Sequence, residues 1–198
     1  MPERSLKFLT TEQVSRLLAQ PNISEPRGLR DRAILETLFS TGLRVSELVK
    51  LNRDQIDLKR REFGVVGKGG RARVVFLSPA AAKWLGKYLA IRTDPWRPLF
   101  IRFPGKNPPE VDGEKMRLTA RSIQRIVKKY VRKAKLPVDA TTHTLRHSFA
   151  TDLLMAGADI RSVQEMLGHK NIATTQIYTH VTNRQLRQIH EAFHGKGR

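Results

Sequence analysis

The sequence predicts one mainly α-helical α+β domain with a small antiparallel sheet. Three observations predict it. Apolar residues recur at helical spacing along most of the chain, while a single patch near residues 62–77 alternates with the period of a strand. The length, 198 residues, suits one sizeable core. No internal repeat or low-complexity tract divides it.

The elements follow in order. Thr10 or Thr11 caps a helix running to about Ala19, with Glu12 in its first turn and Pro21 beyond its end. Leu29, Ala33, Ile34, Leu38 and Phe39 form the apolar face of a second helix, which Gly42 terminates. Arg44 stands just past that break and opens a short helix carrying Glu47. Strand-like runs at Glu62–Val66 and Arg71–Leu77 flank Gly67-Lys68-Gly69-Gly70, whose glycines accept the positive φ of a tight turn; Gln55–Leu58 is a candidate third strand. Ser78-Pro79 opens a helix to about Ile91. The Pro- and Gly-rich stretch from Arg92 to Lys115, containing Phe100-Ile101-Arg102-Phe103, reads as a surface excursion. A helix follows from Thr119 to about Lys135, and another from Thr142, its candidate cap, to Ala156. From Asn183, Leu186, Ile189, His190 and Phe193 fall at i, i+3, i+4 and i+7, an amphipathic helix whose plain role is packing on its own domain.

Charge narrows the function. Lys and Arg total 37 against 18 Asp and Glu, a formal net charge of +19, and the pI is near 11.1. Such a balance points to a polyanion, with nucleic acid the default partner, against the plainer reading of charge that serves only solubility. The chain has no cysteine, so disulfides and thiolate metal sites are excluded. No segment approaches the roughly 18 apolar residues of a membrane span, and Met1-Pro2-Glu3-Arg4-Ser5 begins no apolar signal core; the expected location is the cytoplasm. On the helix after Thr119, Ile123, Ile126, Val127, Tyr130 and Val131 gather on one side, and Arg121, Arg125, Lys128, Arg132 and Lys135 on the other. A solvated face is the ordinary explanation of such a row. Here no acid interleaves at i,i+4, so contact with phosphates is the preferred one.

The chemistry concentrates in a few segments: Thr41-Gly42-Leu43-Arg44-Val45-Ser46-Glu47, Gly67-Lys68-Gly69-Gly70, His143-Thr144-Leu145-Arg146-His147, Leu167-Gly168-His169 and Thr174-Thr175-Gln176-Ile177-Tyr178. Together they can grip a phosphodiester, supply an oxygen nucleophile and protonate a leaving group. His143 and Arg146 share a face of the first turn of their helix, where free amides also attract an anion. A satisfied structural histidine is the plain alternative for His143. His143 and His147 have the spacing of a zinc pair, but Thr144 stands where the metalloprotease pattern needs Glu, and no carboxylate cluster accompanies them. Arg44 and Arg146 both sit at helix starts, where a cation opposes the helix dipole; two such placements suggest a shared external anion.

In this order the segments resemble the tyrosine site-specific recombinases of the phage integrase family, most closely their Xer-like branch, from about Leu9 to Phe193. The resemblance implies the family's catalytic fold, with the small sheet at one edge carrying Lys68. It implies that Arg44 and Arg146 are the paired phosphate-binding arginines, Lys68 the lysine of the sheet turn, His143 the histidine of the His-x-x-Arg element, His169 the second histidine and Tyr178 the nucleophile, with Glu47 bracing the site. It also implies a homo-oligomer or a related recombinase assembled on double-stranded DNA, and a C-terminal helix, about 183–193, that docks on a neighbouring subunit. Relatives carry about a hundred residues ahead of this region, a helical module closing around DNA; the expectation is a single catalytic domain over 1–198 without that clamp. Asp152 stands where many Xer-like chains have His.

The implied reaction is metal-free and uses no cofactor. Two guanidinium forks counter the charge of a pentacoordinate transition state. Tyr178 attacks in line to give a 3′-phosphotyrosyl link and a free 5′-hydroxyl, with His143 as base, because a phenol with an ordinary pKa near 10 needs activation at neutral pH. Lys68 protonates the departing 5′-oxygen, and His169 donates to a non-bridging oxygen. Two alternatives stand beside site-specific recombination. Type IB topoisomerase-like strand relaxation uses similar chemistry. A catalytically silent DNA-binding regulator would have lost at least one of Arg44, Lys68, Arg146 or Tyr178, and all four are present.

Overall fold

The structure, a computed structural model, describes residues 8–103, 113–137, 139–168 and 183–194. Its elements run α1 (Thr11–Leu18), α2 (Pro26–Thr41), α3 (Val45–Val49), β1 (Glu62–Val66), β2 (Ala72–Phe76), α4 (Pro79–Ala90), α5 (Ala120–Lys133), α6 (Thr142–Met155), α7 (Ile160–Leu167) and α8 (Asn183–Phe193). The mainly helical α+β class is therefore correct.

Caps explain most boundaries. Thr10 accepts from the amide of Gln13, whose side chain accepts from the amide of Thr10, a reciprocal box that starts α1. Ser78 starts α4 and Thr119 starts α5 with one-way caps, each hydroxyl accepting from an amide, that of Ala81 and of Ser122. Thr141, not Thr142, caps α6: its hydroxyl takes the Thr144 amide while Thr142 is buried. Gly42 ends α2 in the left-handed region, at φ 64°. A Cβ there would stand 2.5 Å from Phe149 and 2.7 Å from Leu167, so only glycine fits.

Helix α2 is the spine. It packs most extensively on α4 and α6 and is buried on nearly every side, including polar groups that have internal partners. Arg30 pairs with Asp31 at 2.8 Å and donates to the Ile101 carbonyl, and the Tyr130 hydroxyl donates to Asp31 at 2.7 Å, joining α2 to α5.

The sheet is a two-stranded antiparallel hairpin in which Phe63 faces Val75 and Val65 faces Arg73. Two expectations fail. Gln55–Leu58 is no strand: Arg53–Gln55 is a 3-10 turn and only Asp57 bridges to Glu62. Nor is the segment after Arg92 wholly a surface excursion, because Leu99, Phe100 and Ile101 lie in the core, fixed by backbone bonds from Leu99 to Leu51 and from Leu118 to Phe100. Residues 104–112 of that stretch lie outside the described residues.

Candidate active site and nucleic-acid interface

The site grows from helix ends that converge. Where α2 breaks at Gly42, the chain turns so that Arg44 precedes α3, and its amide donates to Glu47 Oε1 at 2.9 Å. Its guanidinium, half-exposed, lies 3.8 Å from the same oxygen. Arg146, one turn into α6, is buried. Its two terminal nitrogens donate to the carbonyl of Gly42, the cap just past α2, and, at 2.9 Å, to that of Leu167, the last residue of α7. These carbonyls lack helical partners, so a guanidinium satisfies both and is fixed by both. Among the described residues Arg146 makes no ion pair with a carboxylate. Burial first, and then the neighbouring charge of Arg44, pull its pKa down to about 10. It remains a cation at neutral pH, but a poorly solvated one.

Glu47 is buried under this pair. Burial acts to raise its pKa, but hydrogen bonds from Arg73 and the Arg44 amide, with the charges of both arginines, hold it below the usual carboxylate range. Arg73 takes both carboxylate oxygens, Nη1 to Oε2 at 2.6 Å and Nη2 to Oε1 at 3.1 Å, and its Nε donates to the Met166 carbonyl at 3.1 Å. Sequence reasoning missed Arg73. The signal was present in the strand period: Arg73 shares the face of β2 that buries Val75, opposite buried Val65, so a cation there points inward.

Lys68 is exposed at the tip of the β1–β2 hairpin, whose turn uses Gly69 and Gly70 at φ 81° and 75°. His143 is exposed in the first turn of α6, and its Nε2 lies 2.9 Å from Nε2 of His147, the two rings edge to face. Burial, followed by the charges of His143 and Arg146, lowers the His147 pKa. The Thr144 amide is already taken by Thr141, which leaves fewer amides of that turn free for an anion than the sequence suggested. The structure thus joins Arg44, Glu47 and Arg146 and sets Lys68 and His143 on exposed ground. His169 and Tyr178 lie outside the described residues.

The stripe on α5 is outward. Arg121, Arg125, Lys128 and Arg132 are exposed, while Ile123, Val127, Tyr130 and Val131 are buried on the opposite side. Among the described residues none of the four cations joins an ion pair. Helix α8 lies on its own domain: His190 Nε2 donates to the Ser40 carbonyl at 2.8 Å, and His194 Nδ1 lies 2.7 Å from Asp152. Asp152, which carried no meaning in the sequence, is thus a contact for the C-terminal helix. No helix among the described residues is long and apolar enough to cross a membrane.

Known proteins resemble the chain throughout. The model of the phage integrase family matches residues 7–185. The tyrosine recombinase XerD of Lacticaseibacillus casei is 43% identical over 189 residues, covering 96% of this chain and 63% of the relative. The tyrosine recombinase XerC of Pelotomaculum thermopropionicum is 40% identical, covering all of this chain and 65% of its own length, so the chain spans under two thirds of both relatives. Among solved structures, the XerA recombinase superposes with a TM-score of 0.73 at 33% identity over 96% of this chain and 64% of its own. The XerH site-specific recombinase bound to difH substrate, in a pre-cleavage complex, superposes at 0.66 with 27% identity over 92% of this chain and 52% of its own.

Proposed function

The chain belongs to the phage integrase family, and we propose that it carries out site-specific DNA recombination, cleaving and rejoining strands through a 3′-phosphotyrosyl intermediate. The observation that carries this reading is Arg146: a buried guanidinium held by two backbone carbonyls and set against a second arginine, where a purely structural arginine would meet a carboxylate. Such a group is pre-organised for an anion that arrives from outside, and removing solvent from it strengthens its hold on charge that develops at phosphorus. Arg44, exposed enough to reach that anion, completes the clamp. That the XerH relative was solved on its difH substrate supports duplex DNA as the partner.

Tyr178 attacks the clamped phosphodiester, His143 accepts the phenolic proton, Lys68 returns a proton to the departing 5′-oxygen, and His169 donates to a non-bridging oxygen. The cations neutralise charge as paired metal ions do in nucleases, so neither a metal nor a cofactor takes part. The protein works in the cytoplasm, as a homo-oligomer or with a related recombinase on DNA, and α8 there transfers to a neighbouring subunit. The basic row on α5 grips backbone phosphates.

The test is a nicked trap duplex, from which the cut strand cannot be rejoined. The parent forms a DNA adduct that survives denaturant, in excess chelator as without it. Tyr178→Phe binds DNA nearly as well and forms none. An adduct that persists in the variant rejects the nucleophile, and cleavage that needs added magnesium rejects the mechanism.

A further inference from the structure

Glu47 lies between two arginines and cannot serve both equally. Arg73 takes both of its oxygens, at 2.6 and 3.1 Å, in a fork that suits a carboxylate. Arg44 is left with its amide bond to Oε1 and a guanidinium 3.8 Å away, beyond hydrogen-bond reach. The side chains of Arg73 and Glu47 are only 12% and 5% exposed, so water screens their pair little, while Arg44 is the better solvated competitor.

We infer that Arg73 is a positioning residue for strand cleavage: by claiming Glu47 it keeps the Arg44 guanidinium available to the phosphate. Without Arg73, the nearest charge partner for Glu47 is Arg44, and a closed pair would neutralise half of the arginine clamp. The backbone is built around the arrangement. A Cβ on Gly168 would lie 3.0 Å from Arg73 Nη1 and 3.1 Å from its Cδ and Cζ, and one on Gly67 would lie 3.2 Å from Nη1 and 3.4 Å from Glu47 Oε2. Gly67 precedes Lys68 and Gly168 precedes His169. The same ion pair is therefore the floor beneath the chain leading to two further residues assigned to the reaction. The bond from Arg73 Nε to the Met166 carbonyl and those of Arg146 to Gly42 and Leu167 place the two guanidiniums side by side on successive carbonyls at the end of α7. The inference rests on the recombinase reading for its kinetic consequence, but not for the ownership of Glu47.

Adduct formation on the nicked duplex is measured for the parent, Arg73→Met, Glu47→Gln and the double variant, together with DNA affinity and thermal unfolding. Arg73→Met lowers the cleavage rate about 100-fold, the order expected on losing one donor to the reacting phosphate, with DNA affinity nearly unchanged. Adding Glu47→Gln recovers cleavage at least about tenfold, because the amide still accepts from the Arg44 amide and has no charge with which to hold its guanidinium. Loss of a merely structural ion pair strands the same buried charge, so Glu47→Gln would then restore thermal stability and DNA affinity along with cleavage; for a positioning residue cleavage recovers while DNA affinity stays near the parent value throughout. Parent-like cleavage in Arg73→Met, or a double variant no faster than that single one, overturns the inference. If Arg73→Met does not fold, Arg73→Lys, which cannot fork, serves in its place with a smaller loss and the same rescue. The carbon-13 shift of the Glu47 carboxyl is titrated in parallel. Its midpoint rises when Arg73 is removed, and an unmoved midpoint overturns the inference even if the parent forms no adduct, a result that by itself rejects the recombinase reading alone.

Discussion

Helices α5 and α6 follow one another in the chain, and both carry cations, yet they use them in opposite ways. Helix α5 sorts its residues by face, apolar inward and Arg121, Arg125, Lys128 and Arg132 outward, so its charges keep their hydration. Helix α6 has no such division. It buries Leu145, Phe149 and Leu153 beside Arg146 and Ser148 and leaves His143 exposed at its start. A hydrated cation attracts any polyanion and is weakened by salt. A buried one, fixed by carbonyls, costs stability and returns directional binding at one point. In the function proposed above, this difference separates general attraction for DNA from chemistry at a single phosphate.

The sharpest way to break this comparison is Arg146→Gln. It should slow strand cleavage about 1,000-fold or more, within the range for losing a charged transition-state donor, while DNA affinity falls only a few-fold and the protein remains folded. An equal loss of affinity and cleavage rate would mean that Arg146 acts like the α5 row.

The far end of α6 sharpens the comparison in another direction. Its Asp152 meets His194, just past the end of α8, and His190 within α8 is buried against the Ser40 carbonyl. Burial, then the charge of His194, lowers the His190 pKa from 6.5 to about 3. The docked ring is therefore neutral while the unfolded ring titrates near 6.5. Its contribution is complete above that pH and is lost progressively as pH falls from about 6.5 towards about 3, at roughly 1.4 kcal/mol per pH unit. Urea unfolding at pH 7.5 and 5.5 should show a decrease of about 1.4 kcal/mol from this group, which His190→Phe removes. An unchanged pH dependence in that variant would place the sensitivity elsewhere, with the His194 and Asp152 pair the next group to replace.

What could be foreseen follows the same division. Helix α5, its stripe and the bounds of β1 were legible because capping residues, faces and alternation are local properties. The motif carrying Arg44, Glu47 and Arg146 was legible as a pattern, but its geometry was not: no spacing announces that Arg146 ends on the carbonyls of Gly42 and Leu167. Leu99–Ile101 looked like a loop because so short an apolar run between Pro98 and Pro104 carries no period. They enter the core through backbone pairing with Leu51 and Leu118, contacts far away in sequence. Arg73 was one basic residue among 37 until its register on β2 was considered.

The smallest expected effect tests the α5 side. Arg125 and Lys128 stand one turn apart on the exposed face. If each neutralises one phosphate, replacing both with glutamine flattens the slope of log affinity against log salt by about 1.8, or 0.9 per contact. The loss should be the same on a recombination site and on a random duplex, since backbone phosphates carry no sequence. Cleavage at saturating DNA should stay near the parent rate, because both side chains are exposed and neither joins an ion pair among the described residues. Titration of both duplexes at several salt concentrations measures this. An unchanged slope would reduce the row to a solvated face, and a loss confined to one duplex would mean that α5 reads bases as well as backbone. In either case hydrated and buried cations could no longer be assigned separately to attraction and to chemistry.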